Sequence, residues 1–316
     1  MTINHLLIVT SEPKSVFMEI FFKYVKSKSN ILKKKKITLI GNKRIISDEA
    51  KFNNYKKNFN EISDIKSAVK SRLNLINIEL SKGKKKNSER KYISKSFKKS
   101  LLILKKNKDV ALINGPIEKK SFLKKKYLGL TEYLAKQTNS NDPVMLIYNK
   151  KISVSPITTH LPVKYIAKNI SKNKIIKNIK KINFFYGKYL KKKPKIAVLG
   201  LNPHCETIDK ESEETREIVP AIKSLKLKNL KISGPYSADT FFIKKNIEEF
   251  DVVVGMYHDQ VLTPLKTLFN FDAINITIGL PFLRISPDHG PNKTMFRKNK
   301  SDPSSVFCAM KFLQNI

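Results

Sequence analysis

Three of the five histidines share one arrangement. His160 closes VSPITTH, His204 closes KIAVLGLNPH and His258 closes DVVVGMYH, so each stands where an apolar run gives out. Three neutral imidazoles suit a borderline divalent ion such as zinc, and three protein ligands leave one coordination position open for a substrate. The intervals between them are long and match no short metal motif, and a single histidine after a strand is more often an ordinary hydrogen-bonded surface or core residue. The threefold repetition is what favours a site. Cys205 follows His204 directly and is open to three readings: a ligand, a reactive thiol or a small buried residue.

The runs that end on these histidines read as buried strands. In open α/β sheets, ligands bind beyond the carboxyl ends of the strands, which is where all three point. Similar runs recur as HLLIVT, KKITLIG, DVALING, VMLIYN, KISVSPI, KIAVLG, FDVVVGM and AINITI. Stretches with helical periodicity lie between them, such as VFMEIFFKYVKSK, NIEEF and PSSVFCAMKFLQNI. Strand and helix in alternation imply a largely parallel sheet covered on both faces. The segment from about Lys51 to Lys99 is the most polar and reads as helices and loops on the outside. At 316 residues and 41% hydrophobic, the chain can bury one large or two medium α/β domains.

Composition excludes several classes. No apolar run reaches the ~18 to 20 residues that cross a bilayer, and HLLIVT is too short for a secretory leader, so a cytoplasmic protein is expected. Two cysteines, Cys205 and Cys308, build no disulfide framework. The formal net charge is +37, from 63 Lys+Arg against 26 Asp+Glu, which by itself would indicate nucleic acid or an anionic membrane. The lysines, however, fall in short clusters along the whole chain, as in ILKKKKI and YLKKKPK, with few interleaved aromatics. A solvated lysine surface is expected, with neither a specific nucleic acid nor a membrane as partner. Neither G-x-G-x-x-G nor G-x-x-x-x-G-K-[ST] occurs, which excludes the common dinucleotide and P-loop folds.

The blocks NGPIEKKSF, GLTEYLA, SPITTHLPV, LGLNPH, GPYSADTFF, YHDQVLTPLK and INITIGLPFLRISPDHG stand in this order between about Asn114 and Gly290. Together they resemble the 4-hydroxythreonine-4-phosphate dehydrogenases of vitamin B6 (pyridoxal phosphate) biosynthesis. The resemblance implies an isocitrate-dehydrogenase-like α/β/α fold with two domains and an active site in the cleft at a dimer interface. Residues 1–118 with 290–316 would form the first domain, and residues 119–289 the second, which carries the motifs and the dimer contacts. It implies oxidation of the secondary hydroxyl of 4-phosphooxy-L-threonine with NAD or NADP. The resulting 2-amino-3-oxo acid loses carbon dioxide to leave 3-amino-2-oxopropyl phosphate. One divalent ion (zinc, magnesium, manganese or cobalt) would be held by His160, His204 and His258, the third coming from the other subunit of a homodimer. Thr131, Lys266, Asn275 and Arg284 fall on substrate-binding positions. Asp239 and Asp259 are candidates for orienting a histidine or the substrate amine. His289 is the candidate on the cofactor side, with a structural role open beside it.

Three departures from the family pattern stand out. Leu130 replaces the histidine of G-H-T-E, removing a charge-assisted hydrogen bond of ~1.5 to 3 kcal/mol unless a lysine from Lys124 to Lys126 replaces it. TSEPKSVFMEI, Thr10 to Ile20, keeps only Glu12 and Pro13 of a glycine-rich loop, and the segment from Cys205 to Glu214 lacks the usual glycines. They keep a second reading open, a related metal-dependent dehydrogenase of another small phosphorylated hydroxy acid.

Overall fold

Short β-branched and aliphatic runs become strands because each can be buried on both faces between amphipathic helices. In the computed structural model, which describes residues 2–28, 30–80, 85–118, 122–123, 127–205, 209–287 and 290–316, these elements sort into two units. The first holds Met1–Asn141, Phe271–Ile274 and Leu280–Ile316; the second holds Asp142–Asn270 and Asn275–Gly279.

The strands of the first unit are β1 (His5–Val9), β2 (Lys36–Gly41), β3 (Asn60–Glu61), β4 (Leu73–Asn77), β5 (Val110–Asn114) and β12 (Arg284–Pro287). They lie in the order β3-β4-β2-β1-β5-β12, and every pairing is parallel. Helices α1 (Phe17–Ser27), α2 (Lys43–Phe52), α3 (Lys85–Lys106), α4 (Leu130–Gln137) and α8 (Ser304–Asn315) accompany them. One core joins Leu7, Val9, Ile40 and Leu112 of the sheet to Tyr92, Ile93 and Phe97 of α3 and to Leu130, Tyr133 and Leu134 of α4. Burying a side chain such as Phe97 contributes about 1.5–3 kcal/mol. The opposite helices meet edge to face, with the Tyr24 and Phe307 rings 5.0 Å apart.

The polar segment from Lys51 to Lys99 is therefore not an outer layer. It contains the sheet strand β4, with Leu73, Asn74, Leu75 and Ile76 buried, and the start of α3. Lysines on the outer face of α3 conceal a buried stripe whose spacing at Tyr92, Ile93, Ser96, Phe97 and Ser100 is helical. The unit boundaries also differ from the sequence divisions at 118 and 290, because α4 belongs to the core beneath α3 and β12 pairs with β5.

The second unit orders its strands β11-β6-β7-β10-β8-β9. They are β6 (Val144–Tyr148), β7 (Ser153–Thr158), β8 (Ile196–Leu199), β9 (Ile232–Tyr236), β10 (Val252–Tyr257) and β11 (Ile274–Ile278), whose first residue lies in the first unit. The row β7-β10-β8-β9 is parallel, while β6 runs antiparallel to β7. Val252, Val253 and Val254 of β10 are buried, as are Ile175, Ile179 and Ile182 of α5 (Lys172–Phe185) and Ile222 and Leu225 of α6 (Val219–Lys226). Helix α7 (His258–Phe269) packs on β7 and β10. The stretch NIEEF is helical only at its first two residues, at the end of a short turn Lys244–Ile247. Strands β9 and β12 are not among the strand-like runs of the sequence, because ISGPY and RISP contain glycine or proline. Among the described residues no helix is long and apolar enough to cross a membrane.

Candidate active site

Three neighbouring parallel strands deliver the three histidines to one edge of the second unit. His160 follows the end of β7 at Thr158, His258 follows the end of β10 at Tyr257 and opens α7, and His204 lies on the loop after β8 ends at Leu199. The His160 and His258 rings lie 5.9 Å apart, tilted by 37°. His258 Nδ1 is 2.7 Å from Asp259 Oδ1. A carboxylate only accepts, so Nδ1 donates and Nε2 carries the lone pair available to a ligand. His204 Nδ1 faces Asp239 Oδ2 at 4.0 Å. The Ser237 hydroxyl, donating to Asp239 at 2.6 Å, holds that carboxyl below its usual range, with the His204 charge a further cause.

Imidazoles backed by carboxylates are a donor set that fits a borderline divalent ion. Within one chain, no group of three or more His, Cys, Asp or Glu among the described residues is close enough to hold a metal ion. Cys205 is half-buried, and burial pushes its thiol up, which keeps it protonated and disfavours thiolate ligation.

Two of the four residues expected to bind substrate meet in the first unit. Arg284, 3% exposed at the start of β12, donates from Nε to Asn114 Oδ1 at 2.8 Å and from Nη1 to Thr131 Oγ1 at 3.3 Å. Asn114 Nδ2 in turn donates to Gly115 O at 3.0 Å, which orients the amide. Burial pulls the guanidinium pKa down to about 10, against the opposing field of Glu132, so Arg284 remains a cation at neutral pH. Asn114 was not singled out from sequence, although it opens the NGPIEKKSF block. In the second unit, Asn275 on β11 keeps a buried Oδ1 without a hydrogen-bond partner, and Lys266 is exposed in the last turn of α7.

Leu130 is 8% exposed and part of the apolar core. Glu12, in the altered loop from Thr10 to Ile20, is buried, and its Oε1 accepts from Glu118 N at 3.0 Å. His289 and Lys124 to Lys126 lie outside the described residues.

Parallel strands that gather ionisable side chains beyond their carboxyl ends mark a class of α/β folds that bind ligands there. The fold agrees with that of isocitrate dehydrogenase from Methylococcus capsulatus, at a TM-score of 0.53 and 9% identity over 98% of this chain and 84% of the other. Within this class the chain belongs to the family described as pyridoxal phosphate biosynthetic protein PdxA, whose sequence model matches residues 33–313. It is 37% identical to a 4-hydroxythreonine-4-phosphate dehydrogenase of Sulfurihydrogenibium sp. (strain YO3AOP1), over 97% of this chain and 96% of the relative. The solved 4-hydroxythreonine-4-phosphate dehydrogenase of Klebsiella pneumoniae superposes with a TM-score of 0.81 at 25% identity, over 98% of each chain. The chain is thus an oxidoreductase of pyridoxal phosphate biosynthesis.

Proposed function

We propose that the chain oxidises 4-phosphooxy-L-threonine at its secondary hydroxyl with NAD or NADP, at a divalent-metal site completed in a homodimer. The 2-amino-3-oxo acid formed then decarboxylates to 3-amino-2-oxopropyl phosphate. The observation that carries the reading is the row of three histidines beyond the carboxyl ends of adjacent parallel strands. A divalent ion held by His160, His204 and a His258 from a second copy would supply Lewis acidity to the substrate's hydroxyl oxygen and then to the ketone oxygen.

The protein's own groups bind and orient. Arg284 offers a planar cation, fixed by Asn114 and Thr131, of the kind that takes a carboxylate or phosphate through two parallel hydrogen bonds. Lys266 adds a second cation. The buried Asn275 Oδ1 is suited to accept from the substrate ammonium, since an unmet buried acceptor costs about 1–3 kcal/mol. Asp259 keeps the His258 lone pair on Nε2, and Asp239 faces His204 Nδ1 at 4.0 Å, close enough to act through its charge.

The test is NAD(P)H formation from 4-phosphooxy-threonine by the purified chain, before and after chelation, with zinc, magnesium, manganese or cobalt restored. Turnover that is lost on chelation and regained with metal is expected. A folded protein without turnover under any metal would overturn the reading. Leu130 favours the second reading, another phosphorylated hydroxy acid, because a buried leucine offers the substrate no donor. On the first reading Leu130→His lowers the KM for 4-phosphooxy-threonine, and an unchanged or raised KM directs the search to a substrate panel.

A further inference from the structure

The backbone ladder between the strands that deliver His204 and His258 stops short of both histidines. Strand β10 pairs with β8 only from Val252↔Ile196 to Val254↔Val198. Beyond that point side chains take over. Gln260, in the first turn of α7, accepts from Met256 N at 2.7 Å through Oε1 and donates to Gly200 O at 2.7 Å through Nε2. This amide orientation is forced, because a backbone N–H only donates and a carbonyl only accepts. Gly255 leaves the room: a Cβ there would stand 2.8 Å from Gln260 Oε1 and closer still to Val261 Cγ1. On the other side of β10, Thr158 donates to Met256 O at 2.7 Å. Met256 is therefore held through both its N–H and its C=O, two residues before His258. The Thr158 bond starts two residues before His160, and the second Gln260 bond reaches Gly200, on the way to His204.

The His204 loop has its own anchor. Glu214 is fully buried at the start of a π-helical turn, Glu214–Ile218. It accepts from Leu201 N at 2.6 Å, Asn202 N at 2.8 Å and Asn202 Nδ2 at 2.7 Å. The loop needs holding, since His204 and Cys205 both have φ of 56°, a left-handed backbone that costs about 1–3 kcal/mol per residue.

We propose that Gln260 and Glu214 are positioning residues of the metal site. Gln260 acts as a side-chain rung that ties the strand end presenting His204 to its own subunit's site to the strand end presenting His258 to the partner's, and Glu214 locks the strained loop that aims His204. The inference rests on the three-histidine reading of the site and concerns residues that touch neither metal nor substrate.

Cobalt(II) titration of the full, chelator-stripped chain tests it, with visible absorption reporting ligand geometry. Gln260→Ala, Gln260→Glu and Glu214→Gln are each expected to weaken cobalt binding about 10–100-fold and to change the absorption bands. Gln260→Glu is nearly isosteric and keeps the acceptor for Met256 N but cannot donate to Gly200 O. It separates the lost bond from lost packing and carries the test if Gln260→Ala does not fold. Folded variants with wild-type affinity and spectrum would overturn the proposal. His204→Ala separates the two failures. If it loses cobalt while the other variants bind normally, only the positioning roles fall; if it binds as tightly as wild type, the histidine site falls.

Discussion

Arg284 shows what one residue contributes that its charge alone would not. In a chain with 63 Lys+Arg a further cation is unremarkable, but this one is buried and its Nε and Nη1 are committed to Asn114 and Thr131. A lysine keeps the charge and loses the fork, because one ammonium cannot reproduce two fixed planar donations. Arg284→Lys is expected to lower kcat/KM for 4-phosphooxy-threonine about 100-fold, equivalent to ~3 kcal/mol, mostly through KM. Steady-state kinetics decide it, and a value within twofold of wild type would remove Arg284 from the substrate site.

Among the elements, β1 carries a built-in pH dependence of its own. His5, 5% exposed, pairs through Nε2 with Thr38 Oγ1 of β2 at 2.7 Å. Burial, helped by the Lys36 charge and opposed by Asp109, lowers its pKa from 6.5 to about 4. The folded state therefore binds this proton less readily than the unfolded chain, so the stability involved is complete above pH 6.5 and is lost as pH falls toward 4. The loss amounts to at most about 3 kcal/mol. In urea unfolding, the wild-type advantage over His5→Gln should shrink across that window and stay constant above it. A pH-independent difference would mean that His5 is not held neutral.

For the whole molecule, the decisive question is whether the site is shared between subunits. If His258 serves the other subunit, neither His160→Ala nor His258→Ala homodimers are active, but a mixed dimer regains one intact site. After subunit exchange in equal mixture, half the dimers are mixed and each holds one good site, so about a quarter of wild-type activity should return. No recovery in demonstrably mixed dimers would place all three ligands in one chain. The net charge of +37 acts at the same scale, raising the local concentration of a doubly anionic substrate without specifying it.

The sequence by itself determined the strands that precede the three histidines, since short β-branched and aliphatic runs read as buried strands, and the ordered motif blocks determined the family. Thr131, Arg284, Asp239 and Asp259 were singled out because each stands inside a block, and the structure adds their contacts with one another or with a histidine. What the sequence concealed was whatever depends on neighbours distant along the chain. The polar surface of α3 masks its buried stripe. Strands β9 and β12 contain residues that ordinarily end strands. The roles of Asn114, Gln260 and Glu214 exist only as hydrogen bonds across 170, 60 and 13 residues of chain. Local propensity and periodicity act over a few residues, whereas the strand ends that precede the histidines are placed by strand order and by side-chain hydrogen bonds, such as those of Gln260, made where the ladders end. That part was decided by tertiary structure alone.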